Sequence, residues 1–260
     1  EVLMEAKLSE NLKAKLLNRY NTQYKIADET FLEWRRWNAK EKVHSIVELT
    51  KGMELKKVID IGCGTGAVIE GLSALDFAQS YYAVDFSEEA IGIVNTIGIK
   101  NLRYALVSDA ANIPYPDKFF DLAILSHILE HVHQPAFVLK EAARIAKHVF
   151  VEVPLEDTPI LNFTWILRAV IKRKARNDNI YGHIVYFSRK TIIQLCEELN
   201  LTVVKARGYL IGKYGMLFGK RGFWLVYAYL VYLASKLLGY RIFSRIYHSH
   251  YAMLLSENDA

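Results

Sequence analysis

Val58-Ile59-Asp60-Ile61-Gly62-Cys63-Gly64-Thr65-Gly66 joins a short apolar run to three glycines spaced two residues apart. Residues 57–61 have the length and β-branched content of a buried strand, and the spacing of residues 67–72 is helical. Glycine lets a backbone approach a ligand with no Cβ in the way, and the start of the following helix offers N–H groups to an anion. The segment therefore predicts a strand, a ligand-binding turn and a helix.

The spacing of the glycines distinguishes between two kinds of nucleotide site. A dinucleotide fingerprint, G-x-G-x-x-G, needs its third glycine one residue after Gly66. The segment instead resembles motif I of the class I S-adenosylmethionine (SAM) methyltransferases, hydrophobic-hydrophobic-Asp-hydrophobic-Gly-x-Gly-x-Gly, and matches it in full. The resemblance implies that Asp60 lies near the methionyl end of SAM, and that Gly62, Cys63, Gly64 and Gly66 form the turn beside the cofactor. An ordinary glycine-rich βα turn is the alternative.

Acidic residues follow the next two predicted strands. Asp85 ends the strand predicted over residues 80–85, where a carboxylate can accept hydrogen bonds from both hydroxyls of a ribose. The resemblance implies this role for Asp85, places Phe86 against the adenine, and assigns the adenine amine to Asp109, with the backbone of Ala110 beside it. The alternatives are that Asp85 only caps the next helix and that Asp109 only forms an Asx-turn.

Residues 126–131, SHILEH, follow the fourth predicted strand and resemble the type 11 branch of the same family. Ser126 and His127 fall at the carboxyl end of that strand, where open α/β sheets bind ligands, and are predicted to contact the cofactor. Glu130 and His131 are predicted to open the next helix. His131 is a candidate general base for a substrate hydroxyl, because imidazole titrates near neutral pH. A local hydrogen bond that shapes the pocket is the alternative.

A second candidate histidine precedes the last large helix. Residues 181–188, YGHIVYFS, resemble the GHxxxFS segment of type 11 relatives, and Ser188 is predicted to cap that helix. The resemblance implies that His183 lies above the methyl-donor pocket, as a substrate contact or base; holding the loop in place is the alternative. No group of His, Cys, Asp or Glu has the sequence spacing of a metal site, so the sequence predicts a metal-independent reaction.

The resemblance covers residues 55–207 and the last strand. It implies an α/β fold with a Rossmann-like, mostly parallel seven-stranded sheet in the order 3-2-1-4-5-7-6, strand 7 antiparallel, and helices on both faces. It also implies that SAM is the cofactor and S-adenosylhomocysteine the product. A non-catalytic scaffold of the same fold is the second hypothesis, which the retained glycines and Asp85 disfavour.

Residues 1–50 have helical spacing and are predicted to form an N-terminal cap on a methyltransferase domain at 51–260. Trp34-Arg35-Arg36-Trp37 is either a basic, aromatic binding surface, or two tryptophans packed on the domain beside solvated arginines. The resemblance implies that part of this region is a lid over the cofactor.

Two helical insertions are predicted, at 155–181 and 210–247. The first ends in the basic run 172–176, which is either solvated or binds a phosphate or an anionic membrane. The second has a nearly uncharged core at 223–238. A membrane span there would separate the last strand from its sheet, so this segment is predicted either to pack as helices or to lie in a membrane interface.

Composition and charge limit the partners. The formal charge of +5 over 260 residues is diffuse, and no Asn/Asp-Pro-Pro-Tyr-type motif follows strand four, so nucleic acid is an unfavoured partner. Two cysteines and no signal-peptide pattern predict a cytoplasmic protein, with peripheral membrane contact through 210–247 as an option. The expected reaction is O-methylation of a small-molecule, sugar or lipid-like acceptor, with N- or C-methylation as the alternative. Neither the acceptor nor the oligomeric state follows from the sequence.

Overall fold

A single seven-stranded sheet is the frame of the protein. The computed structural model describes residues 14, 16–157, 182–210, 222–243 and 249–257. Neighbouring strands follow the order β3-β2-β1-β4-β5-β7-β6, and β7 runs antiparallel to β5 and β6. The sheet predicted by the resemblance is thereby confirmed. Its strands are β1 (Lys57–Ile61), β2 (Ser80–Asp85), β3 (Leu102–Val107), β4 (Phe120–Ser126), β5 (Ala146–Leu155), β6 (Leu201–Leu210) and β7 (Ser249–Glu257).

Some of the described helices begin after a side chain that caps them. Ser87 accepts a hydrogen bond from Ala90 N at the start of one helix, and Ser188 forms a reciprocal capping box with Thr191 at another, as predicted for Ser188. The described helices are α1 (16–25), α2 (Glu29–Leu49), α3 (Ala67–Ser73), α4 (Glu88–Thr96), α5 (Pro135–Ile145), α6 (Arg189–Glu198) and α7 (Gly222–Phe243).

The prediction that Glu130 and His131 open a helix was wrong. They lie in a short 3-10 turn, Leu129–His131, and α5 begins only at Pro135. Proline at the first helical position pushes the preceding residue out of the α region, and Gln134 has φ −126° and ψ 72°. The helix therefore starts after both residues and leaves them in the loop that follows the carboxyl end of β4.

Both faces of the sheet are covered, which explains why the central strands β1, β2 and β4 are almost entirely buried. On one face Val58, Tyr81 and Ile124 pack with residues of α2, α3 and α4. On the other face Ile59 and Leu125 pack with residues of α5 and α6. The central strands are therefore buried on both sides, and only their ends reach a cavity.

The order of the strands places a crevice at the carboxyl end of β1. The chain moves from β1 to β2 on one side, and β4 lies on the other side of β1. Open α/β sheets bind ligands at such a switch point, because the connections leave in opposite directions and open a gap. The glycine turn that follows β1 lies at this gap.

The two predicted insertions are described in part. Residues 158–181, with the basic run 172–176, lie outside the described residues, as do 211–221 and 244–248. Within the second insertion, α7 keeps several large apolar side chains exposed, among them Phe223, Val226, Leu230 and Leu237. None of the described helices has the length and apolarity needed to cross a lipid bilayer.

Candidate active site

One cavity of about 510 Å³ opens at the carboxyl ends of the central strands. Its walls come from the glycine turn, α1, α2, the 3-10 turn, and the ends of β6 and β7. The structure brings most of the predicted site residues into this wall. They are Gly62, Asp85, Phe86, Asp109, Ala110, Ser126, His127, His131 and His183. The remaining predicted residues, Asp60, Cys63, Gly64 and Gly66, lie behind this wall in and before the glycine turn.

The glycine turn is tied to β2 and covered by the N-terminal helices. Gly62 N and Cys63 N donate hydrogen bonds to Val84 O, at 2.7 and 3.1 Å. Gly64 has φ +54°, and a Cβ there would lie 2.8 Å from the guanidinium of Arg35 and 2.9 Å from the hydroxyl of Tyr24. A side chain at position 64 would strain the backbone and would require Arg35 and Tyr24 to move.

Asp85 fixes the geometry between the glycine turn and α4. Its Oδ2 accepts from Gly64 N at 2.8 Å, and its Oδ1 accepts from Ser87 N at 3.0 Å. Burial raises the pKa of Asp85, and these two hydrogen bonds oppose that shift. The helix cap itself is the Ser87 hydroxyl, so Asp85 is not the helix cap. The ring of Phe86 lies 5.7 Å from that of Tyr20, at the cavity wall.

Asp60 is a buried carboxylate whose Oδ2 has no hydrogen-bond partner among the described residues. Burial raises its pKa to about 7, against the attraction of Lys42 and Arg35. A buried polar atom of this kind calls for an explanation, and a ligand that supplies a donor is one. Asp109, by contrast, is exposed and forms the Asx-turn through Ala111 N, at 3.1 Å, while it also lines the cavity.

His127 links two buried carboxylates. Its Nε2 lies 2.8 Å from Glu152 Oε1, and its Nδ1 lies 3.0 Å from Glu130 Oε1. Burial lowers the pKa of His127, but these carboxylates outweigh that effect and raise it. Burial also opposes ionisation of Glu130 and Glu152, yet His127 holds the pKa of each at about 2. Both ring nitrogens of His127 therefore face protein carboxylates, and its predicted cofactor contact stays a prediction.

His131 and His183 lie together on the same side of the cavity. Their ring centroids are 4.9 Å apart. His131 Nδ1 lies 3.3 Å from Gly182 O, and His183 Nδ1 pairs with Glu156 Oε2. Burial lowers the pKa of His131, which favours the neutral ring. The sequence left two alternatives open for these histidines, a local hydrogen bond and a role toward the acceptor. The observed geometry allows each histidine to have both.

Several cavity residues have no motif that marks them in the sequence. Arg35, which was expected to be solvated if the tryptophans packed on the domain, reaches the glycine turn, and Trp34 and Trp37 also line the cavity. Glu152 is buried behind the cavity wall, where it pairs with His127, and its isolation as the one acid in strand β5 is the sequence signal that could have identified it. Tyr20, Tyr24, Lys42, Tyr209 and His250 also line the cavity.

The family model described as a methyltransferase domain matches residues 29–206. The chain belongs to this family. It is a SAM-dependent methyltransferase, and SAM is its cofactor. The structure resembles magnesium protoporphyrin IX methyltransferase from Synechocystis PCC 6803 with bound S-adenosylhomocysteine, with a TM-score of 0.59, 13% identity, and coverage of 98% of this chain and 100% of that one. At this identity the likeness concerns the fold.

Curated relatives differ in the reaction that their names give. The chain is 22% identical over 190 residues to an uncharacterized protein of Methanocaldococcus jannaschii, covering 70% of this chain and 83% of that protein. It is 28% identical over 109 residues to a ubiquinone biosynthesis O-methyltransferase of Nitrosomonas europaea, covering 41% of this chain and 46% of that one. For ajmaline N-methyltransferase of Rauvolfia serpentina, identity is 28% and coverage 35% and 32%. The chain therefore spans less than half the length of the two relatives whose names give a reaction.

Replacement of Asp60 by Asn tests whether burial raises the pKa of this carboxyl group. The pKa of Asp60 in the folded protein is about 7, whereas an unfolded chain has about 3.9, so the folded state holds more protons between these values. Relative to Asp60→Asn, the wild type therefore loses stability as the pH rises from about 4 to about 7, by at most about 1.4 kcal/mol per pH unit. Above about pH 7 the difference levels off.

The measurement is urea unfolding of both cofactor-free proteins at pH values from 4 to 8. The exposed residue Asp76, paired with Lys100 on the surface, provides the control Asp76→Asn. The control should differ from the wild type by a nearly constant amount over this range. A difference between Asp60→Asn and the wild type that does not change with pH would show that Asp60 is solvated.

Proposed function

We propose that this methyltransferase binds SAM across the glycine turn and transfers its methyl group to an oxygen of a small amphipathic acceptor. The observation that carries the proposal is the set of oppositely charged and hydrogen-bonding groups around that turn. Asp60 directly precedes the turn, Arg35 lies against Gly64, and Asp85 accepts a hydrogen bond from Gly64 N. Each of these side chains suits a different part of the cofactor.

The amino-acid end of SAM carries both an ammonium and a carboxylate group. The buried Asp60 carboxylate, with Oδ2 lacking a hydrogen bond among the described residues, suits the ammonium. The Arg35 guanidinium, which lies against Gly64 and lines the cavity, suits the carboxylate. Arg35 also acts electrostatically on Asp60. This pair of opposite charges is why we assign the methionyl end to this side of the turn.

The adenosine part is assigned to the ends of β2 and β3. Each oxygen of Asp85 already accepts one backbone N–H, and a carboxylate oxygen has a further lone pair for a ribose hydroxyl. Phe86, Asp109 and Ala110 line the same part of the cavity and would enclose the adenine. The two N–H groups keep the Asp85 carboxylate in place before the cofactor arrives, so less ordering is needed on binding.

SAM supplies a methyl group already activated by its sulfonium, so the protein's main contribution is alignment and exclusion of water. His131 and His183 are the residues proposed to face the acceptor, because both line the cavity beside the turn. Burial lowers the pKa of His131 and so favours the neutral ring, which is the form that accepts a hydrogen bond or a proton. Tyr20 and Tyr24 of α1 line the same cavity, with the Tyr20 ring 5.9 Å from that of His131, and form the proposed lid.

The proposed acceptor has a bulky apolar part. Trp34, Trp37, Phe137 and Val132 line the outer part of the cavity, and such walls suit rings and chains rather than charged metabolites. Relatives named for ubiquinone biosynthesis and for ajmaline support an acceptor of this kind, by oxygen and nitrogen methylation respectively. We favour oxygen, with nitrogen or carbon as the alternative.

Asp85→Asn tests the ribose contact. The amide replaces one acceptor oxygen with a donor, so a ribose hydroxyl loses its partner and Gly64 N–H faces an NH₂ in one of two orientations. We expect the Kd for both SAM and S-adenosylhomocysteine to rise about 10- to 100-fold by calorimetric titration. Wild-type affinity in the variant would refute the ribose assignment. No binding to a well-folded wild type would favour the scaffold hypothesis.

Arg35→Gln tests the contact with the amino-acid end. Its matched control is Arg36→Gln, because Arg36 points away to Glu70 and Glu29. We expect Arg35→Gln to weaken SAM binding about 10- to 100-fold and to leave binding of 5′-methylthioadenosine, which lacks the amino-acid end, unchanged. Asp85→Asn should weaken both ligands. If Arg35→Gln weakens both ligands equally, then Arg35 acts by holding the turn rather than by binding the carboxylate.

A lipid-like acceptor would bring the protein to a membrane surface. The exposed apolar side chains of α7 support this proposal, with Leu237 86% exposed. We expect the protein to float with liposomes, more strongly with anionic lipid, and Leu237→Asp to reduce flotation at least about threefold. Leu75→Asp, at an exposed leucine after α3, is the control that should float normally. No flotation of the wild type with either lipid would exclude membrane contact.

A further inference from the structure

Lys42 brings an ammonium group to the wall of the cavity. It belongs to α2, about two turns after Arg35, and both side chains line the cavity. Glu152, Glu130 and Asp60 attract this ammonium group from a distance. In the described part of the chain, however, Lys42 has neither a hydrogen bond nor an ion pair. Burial therefore outweighs the attraction and lowers the pKa of Lys42.

The carboxylates that attract Lys42 have closer partners or another assignment. The two nitrogens of the His127 ring lie 3.0 Å from Glu130 Oε1 and 2.8 Å from Glu152 Oε1. Asp60 is the group proposed for the ammonium of SAM. Lys42 is thus a buried cation without a close anion, which is costly, and an anionic ligand is the kind of partner that offsets this cost.

The backbone at the end of β4 is strained at the residue that follows Ser126. His127 has φ +58°, and it is held there by a hydrogen bond from its N to Glu152 O at 3.0 Å. Such strain persists where the surroundings fix it, and it is concentrated at functional sites. Ser126 itself lines the cavity, is 9% exposed, and its hydroxyl has no hydrogen-bond partner among the described residues. A ligand is one explanation for a buried hydroxyl of this kind.

The start of β7 adds a neutral imidazole at the same end of the sheet. Because β7 is antiparallel, His250 lies beside Pro154 of β5 and Tyr209 of β6. Burial lowers the pKa of His250 to about 3, and the positive charges of His127 and Lys42 act in the same direction. Its Nδ1 is buried and has no hydrogen-bond partner in the described part of the chain. A neutral ring has one N–H to donate and adds no charge.

We propose that Lys42, Ser126 and His250 form a subsite for a carboxylate group of the methyl acceptor. The ammonium group supplies the charge, and the hydroxyl and the ring N–H supply further donors, a combination that suits a carboxylate. Ser126, for which the resemblance implied a cofactor contact, is thereby assigned to the acceptor. The three residues come from α2, β4 and β7, so no sequence motif joins them.

This inference deepens the proposed function, on which it rests. The apolar part of the acceptor would contact the aromatic outer wall, and the carboxylate would lie at the end of the sheet. SAM favours an anionic acceptor as well, because its ammonium, carboxylate and sulfonium groups together leave one net positive charge. In a cavity from which water is largely excluded, a negative charge on the acceptor offsets that charge.

The test compares two probes that differ in charge, naphthalene-2-carboxylate and naphthalene-2-carboxamide. Each is titrated by calorimetry, near neutral pH, into the full chain saturated with S-adenosylhomocysteine. We expect the wild type to bind the carboxylate at least about 10-fold more tightly than the amide. Lys42→Met should remove this preference by weakening the carboxylate alone, and Lys42→Arg should retain it. The control is Lys100→Met, at an exposed lysine paired with Asp76, which should bind both probes as the wild type does.

Ser126→Ala and His250→Phe test the two uncharged donors. Phenylalanine keeps a ring next to Tyr209, whose ring centroid lies 5.1 Å from that of His250, and removes both ring nitrogens. We expect each variant to bind the carboxylate about 3- to 10-fold more weakly, and the amide within about twofold of the wild type. Loss of S-adenosylhomocysteine binding in Ser126→Ala, with both probe affinities unchanged, would overturn the assignment of Ser126 to the acceptor.

Equal affinity of the wild type for the two probes, or no binding of the carboxylate at up to about 1 mM, would overturn the proposal. An unchanged preference in Lys42→Met, or an equal loss in Lys100→Met, would overturn it too. Titration of every variant with S-adenosylhomocysteine alone shows which variants are folded. If the wild type binds no S-adenosylhomocysteine, the probes are titrated into the cofactor-free chain. A preference for the carboxylate there would support the subsite and refute the cofactor assignment alone.

Discussion

The hydrogen bond from Gly64 N to Asp85 Oδ2 is the contact on which the cavity depends. It joins the turn after β1 to the end of β2, while the other carboxylate oxygen holds the start of α4 through Ser87 N. Because Gly64 has no Cβ, Tyr24 and Arg35 can reach the turn from the N-terminal helices. Two backbone donors and one carboxylate thus hold together the turn after β1, the end of β2 and the start of α4, and leave room for the covering helices.

Buried charged side chains are concentrated at the carboxyl ends of the central strands, and neighbouring groups do not neutralise them equally. His127 faces Glu130 and Glu152 and keeps both ionised, whereas Asp60 has a pKa of about 7 because burial outweighs the attraction of Lys42. Buried carboxylates reduce stability unless cations or donors meet them. Asp60 Oδ2, which has no hydrogen bond among the described residues, is therefore the position proposed for the ammonium group of the cofactor.

The covering helices and the late segments give the common fold its particular site. The family model covers the glycine turn and most of the sheet, and the structural relatives share the fold. The aromatic outer wall from α2 and the histidine brought by the segment before α6 come from outside that shared turn. Acceptor choice is expected to depend on these parts, since the same sheet serves relatives named for oxygen and nitrogen methylation.

The sequence by itself determined the strands and the glycine turn, because a buried strand and a glycine-rich turn have recognisable local patterns. The order of the sheet and the cofactor class were implied by the resemblance of those motifs to the methyltransferase family. The sequence also placed Asp85, with Ser188 as a helix cap, where the structure has them. Only the tertiary structure decided that Arg35 reaches the turn and that His183 comes to lie beside His131. These outcomes depend on contacts between residues about 30 to 50 positions apart, and no local periodicity records such contacts.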